Sequence, residues 1–213
     1  MTETIRLVYE IIRELITGRA KSRRDLYDAL LKPLYDGMGT VHTEYRRMFL
    51  NAEALLQESE IGAEGGTSEP SDAKLVVARR SKACQAARDY LVREREQNIT
   101  FRFDLRERTR GMMEAVSNDT DRRFLISVLC YFLGVKIPGD ATAWRILLDD
   151  VERQGADFFS TPSSRLSAEL EQGDAPTMRE EIQGHLRELD RAFRDLAATF
   201  GAVQGEVLGA GIV

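Results

Sequence analysis

The side chains that could do chemistry near neutral pH are few here. His42 and His185 are the two imidazoles of the chain, the group whose charge ordinarily changes between about pH 5 and 8. Cys84 and Cys130 each sit inside an apolar helical pattern and read as buried, reduced thiols. No Cys or His pair stands at a metal-ligand spacing, so neither a metal nor a cofactor is expected. The chain has no Gly-rich phosphate loop ending in Lys, no Gly-x-Ser-x-Gly and no His-Glu-x-x-His. Gly37-Met38-Gly39 is a bare Gly-x-Gly without a third glycine or a preceding strand, and reads as a helix irregularity. Nothing indicates a small-molecule ligand.

His185 follows Arg179 by six residues. That Arg-x5-His spacing resembles the Arg-x4–6-His element of HEPN-type helical ribonucleases, and the resemblance covers these two residues. It implies an acid/base role for His185 and a phosphate-steadying role for Arg179. Glu180 stands where that family usually carries a polar residue, which it matches only loosely.

Arginine is the dominant cation, 25 residues against five lysines. The stretch Arg79–Arg123 holds 12 cations and eight acids, whereas Phe124–Val213 nets −6. On an unbroken helix Arg88, Arg95 and Arg102 would share a face, with Arg106 next in line, and such a face could neutralise several phosphates. Interleaved Asp89, Glu94, Glu96, Asp104 and Glu107 favour a solvated face with local ion pairs instead. Nucleic-acid binding is therefore an alternative reading.

The elements that would position these residues are all helical. With 213 residues and only five prolines, the chain can bury a core without disulfides or metals. Phe124–Val135 carries no charge and is apolar on every side, so it must be covered all round. It is too short to cross a bilayer, which takes about 20 residues. A buried central helix near 119–135 is expected, capped by Asn118 or Asp119 and closed by Gly134 and Pro138.

A long helical region is expected from Arg23 to Glu58. Leu34, Met38, Val41, Tyr45, Met48, Ala52 and Leu55 alternate by four and three, and Tyr35, His42, Phe49 and Leu56 follow at strict sevens. Pro33, Gly37 and Gly39 predict a kink near 33–39. A second heptad run, Ile182, Leu186, Leu189, Phe193, Leu196 and Phe200, follows a capping box at Thr177–Glu180. The Gly-rich tail from Gly201 reads as frayed or loosely docked. Further helices are expected over Glu3–Thr17, Ser71–Gln97, Leu105–Ser117, Asp140–Gly155 and after Pro162. Ser59–Asp72 reads as a flexible linker and Asn98–Leu105 as a connector.

The expected fold is a single all-α domain, a bundle of six to eight helices around the 119–135 helix, with a soft division between 1–97 and 98–213. Met1–Ile16 lacks the uninterrupted apolar core of a signal peptide, so a cytoplasmic protein with no membrane contact is expected. The favoured function is a non-enzymatic protein-interaction module, self-associating or serving a larger complex. Tyr35, His42, Tyr45, Phe49 and Leu56 are its expected partner-binding residues.

Overall fold

Ser22 opens the long N-terminal helix from extended backbone, its hydroxyl accepting the Asp25 N–H at 3.1 Å. This is a computed structural model that describes residues 6, 10, 22–61, 78, 82–90, 116–133, 136–139 and 175–209. The expected helices over Glu3–Thr17, Leu105–Ser117, Asp140–Gly155 and after Pro162, and the Asn98–Leu105 connector, lie wholly or largely outside those residues. Everything regular within them is helix, with no strand. No helix among the described residues is long and apolar enough to cross a membrane.

Helix α1 (Arg23–Leu26) passes through one π-helical turn (Tyr27–Leu31) into α2 (Lys32–Ile61) without interruption. The departure from α geometry therefore precedes the expected 33–39 kink by about one turn. Pro33 supplies the reason: it has no N–H, and its ring crowds the carbonyl four residues back. In the wider turn the Lys32 N–H reaches the Tyr27 carbonyl, which gives that turn room just ahead of the proline. Gly37 and Gly39 remain inside α2, which also takes in the first three residues of the expected linker.

Helix α3 (Asp119–Leu133) is the central helix the sequence predicts. Asn118 Oδ1 caps it, accepting the N–H groups of Thr120 at 2.8 Å and Asp121 at 3.0 Å. Every residue from Phe124 to Phe132 is buried. Ser127, the polar residue in that run, is satisfied by the Phe124 carbonyl and by the Thr199 hydroxyl, 2.7 Å away.

Helix α4 (Ala175–Gly209) begins two residues ahead of Thr177, with Pro176 in its first turn, where a missing N–H costs little. It runs nine residues past Phe200, which corrects the expectation of a frayed tail. The reason is spacing: Val203 and Val207 extend the row Leu196, Phe200 by three and four, and both are buried. Burying two valines, each worth about 1.5–3 kcal/mol, offsets glycines that cost about 1 kcal/mol each in a helix.

Contacts between α2 and α4 descend in step: Tyr35 with Phe200, His42 with Phe193, Phe49 with His185, and Glu53 with Gln183. The two helices are antiparallel, and the two heptad runs of the sequence face each other. Helix α3 also lies antiparallel to α4, with Thr120 against Glu206, Ser127 against Thr199, and Tyr131 against Phe193. Helix α4 is thus shared by both neighbours. The described part of the next segment, residues 82–90, is helical, and its Ala87 is buried in the same core.

Candidate functional site

The polar residues of most chemical interest converge where α2, α3 and α4 meet. His42, on α2, lies flat on Phe193 with ring centroids 4.2 Å apart and an interplanar angle of 3°. Its Nδ1 is 3.2 Å from the Tyr131 hydroxyl on α3, and its Nε2 is 3.4 Å from Asp190 Oδ1 on α4. Arg46, one turn further along α2, brings its Nε within 3.2 Å of the same oxygen. Asp190 Oδ1 meets His42 Nε2 and Arg46 Nε off the hydrogen-bond axis, so these contacts are electrostatic rather than directed bonds.

The facing Asp190 carboxylate favours the tautomer with the proton on Nε2, and Nδ1 of that tautomer accepts the Tyr131 O–H. The His42 side chain is 12% exposed. Burial holds it below the ordinary imidazole value, against the pull of Asp190 and with help from Arg46. Burial pushes Tyr131 well above the ordinary phenol range, with Tyr45 and Asp190 adding to the effect. A phenol held protonated that firmly is a hydrogen-bond donor and a poor nucleophile. The geometry therefore performs a cross-linking task, tying three helices through one neutral ring.

A second polar cluster joins α1 to α3 and α4 at the start of α3. Arg23, on α1, grips Asp121 at the start of α3 with two bonds, 3.1 and 2.9 Å, and reaches Glu206 on α4 at 2.7 Å. Thr120 donates to the other Glu206 oxygen. Asp121 is buried, so the bidentate guanidinium is what makes its charge tolerable. The hydrogen bond to Asp121 is the main cause of a raised Arg23 value. Hydrogen bonds from Thr120 and then Arg23 hold Glu206 below the usual carboxylate range.

The residues singled out in the sequence fall as follows. Tyr45, Phe49 and Leu56 are buried, and Tyr35 is half-buried, stacked on Phe200 at 4.1 Å. Within one chain this row packs largely against α4 and the core. His185 stacks on Phe49 at 5.9 Å, with Nδ1 4.0 Å from Glu188. Arg179 is half-buried on the same continuous helix. Six residues of helix set the two about 9 Å apart along the axis and about 120° apart around it, so the helix does not put them on one face. Arg88 is half-buried, whereas Arg95, Arg102 and Arg106 lie outside the described residues. Among the described residues no cluster of three or more His, Cys, Asp or Glu could hold a metal ion.

Sequence reasoning missed Tyr131, Asp190 and Arg46 around His42, and the Arg23–Asp121–Glu206 cluster. One signal was available for Asp121: a charge three residues ahead of Phe124 falls on the inward side of a helix that is buried all round. Asp190 carries a similar signal, standing one turn before Phe193 on the flank of the second heptad run. No family model, no curated protein and no solved structure matches the chain.

Proposed function

We propose that this chain is a non-enzymatic helical interaction module of the cytoplasm, acting as a homo-oligomer or as an accessory or scaffold subunit of a larger complex. On this reading the whole chain forms one bundle of six to eight helices around α3, with coiled-coil-like pairing of α2 and α4. The observation that carries the reading is the use to which the reactive side chains are put. His42, Tyr131, Asp190, Arg23, Asp121 and Glu206 all spend their polar groups on joining one helix to another.

Helix length adds support. A compact domain of 213 residues has a radius of gyration of about 17 Å, equal to a sphere about 44 Å across. Helix α4, with 35 residues, is about 52 Å long. A helix of that length favours an elongated surface for a partner. Leu208, near the end of α4, is 43% exposed, and Leu50, on α2, is 46% exposed. The outer side of α4 is otherwise charged, with Arg187, Glu188, Arg191, Arg194 and Asp195 exposed.

Purification from the native source with mass spectrometry tests the proposal. A stoichiometric second protein, or a multiple of this chain, is the expected result. A lone monomer that turns over a substrate would overturn it.

A further inference from the structure

His42 joins three helices through its two ring nitrogens and its face. It is carried by α2, bonded through Nδ1 to Tyr131 of α3, paired through Nε2 with Asp190 of α4, and stacked on Phe193 of α4. We propose that His42 is an acid-sensitive latch, whose protonation reverses its hydrogen bond with Tyr131 and loosens the junction of α2, α3 and α4.

The step is a single proton transfer. Nδ1 of the neutral ring takes a proton from solvent and becomes a donor. The Tyr131 oxygen, which keeps its own proton, can no longer donate to that nitrogen and must turn its O–H elsewhere in a buried site. The groups facing His42 and Tyr131 decide the balance. From α4, Asp190 favours the imidazolium, but Arg46 on α2 shares that carboxylate and opposes a second positive charge. From α3 comes the neutral Tyr131, and from α2 the buried Tyr45 beside it. Neither phenol offers a compensating negative charge. Burial is the largest of these effects and disfavours the charged ring.

The direction of the response follows. The folded state holds His42 below its ordinary value of 6.5, so the unfolded chain binds the proton more readily. Stability is then fully present above that value and is lost as pH falls through the folded-state value. Glu206, whose carboxyl is held below 4.5, responds in a lower and separate window.

Thermal melting of the full chain between pH 7.5 and 5.0 tests the latch, with His42→Gln for comparison. Glutamine can meet Tyr131 and Asp190 but does not titrate. The wild type is expected to lose several degrees of Tm on acidification and His42→Gln distinctly fewer. Equal pH slopes in wild type and His42→Gln would overturn the proposal. Should His42→Gln fail to fold, ring NMR of the intact wild type decides, because His185→Gln assigns the two imidazoles. A His42 midpoint below 6.5, shared by Tyr131 and Phe193 ring signals, supports the latch. A midpoint at or above 6.5, or ring signals of Tyr131 that ignore it, rules it out.

Discussion

His42 and Phe193 lie face to face, 4.2 Å between centroids, at the point where two seven-residue rows from distant parts of the chain meet. Phe193 also stands edge-on to Tyr131 at 6.3 Å, so one aromatic ring on α4 serves both α2 and α3. The Gly39 position is part of this fit, since a Cβ there would sit 3.8 Å from the Phe193 ring. Phe193→Ala is expected to cost about 2–3 kcal/mol, short of the 3–5 typical of a fully buried phenylalanine. Phe124→Ala, at a fully buried position, should reach that higher range, and Leu50→Ala should change little. Urea denaturation of the three variants checks the order.

The cluster at the start of α3 makes an asymmetric prediction. Replacing Arg23 with Met leaves the buried Asp121 carboxylate without its bidentate partner, and about 3 kcal/mol of stability should be lost. Asp121→Asn leaves a guanidinium that is 33% exposed and can turn to water, so a loss of about 1–2 kcal/mol is expected. Chemical denaturation at pH 7 gives both values. A larger loss for Asp121→Asn would contradict the account.

Two glycines report on the C-terminal half of α4. Gly201 and Gly205 are exposed within the helix, and a Cβ at either would meet nothing within 4 Å. Each Gly→Ala change should stabilise the protein by about 0.5–1 kcal/mol. A frayed tail would show no gain, so melting curves of the two variants separate the alternatives.

The two thiols should react at very different rates. Burial pushes the Cys130 thiol up to about 12, whereas Cys84 is only half-buried. Iodoacetamide at pH 8 is expected to label Cys84 in the native protein and Cys130 only in denaturant, as read by peptide mass spectrometry. Native labelling of Cys130 at a comparable rate would mean that α3 is not enclosed.

Much of this fold was legible because burial leaves a periodic trace. An uncharged run such as Phe124–Phe132 has to be covered, and the alternation from Leu34 to Leu55 marks the face that packs. What periodicity does not carry is the choice of partner. The row Tyr35, His42, Phe49 and Leu56 reads equally well as a surface for another protein or for a helix of the same chain. Only the structure shows Phe200, Phe193 and His185 standing opposite it. The polar cross-links depend on that pairing. Tyr131 and Asp190 are 89 and 148 positions from His42 in sequence, and neither has a local pattern that points to an imidazole. Pro33 signals an irregular helix in the sequence, and the π-helical turn that accompanies it lies one turn earlier, at Tyr27–Leu31.

Association is the proposed mode of action of this chain, and light scattering on the complex purified from its native source tests it. A particle of at least twice the 24.1 kDa chain mass is expected, made of further copies or of a stoichiometric partner. A 24.1 kDa particle with nothing bound, unchanged across the working concentration range, would contradict it.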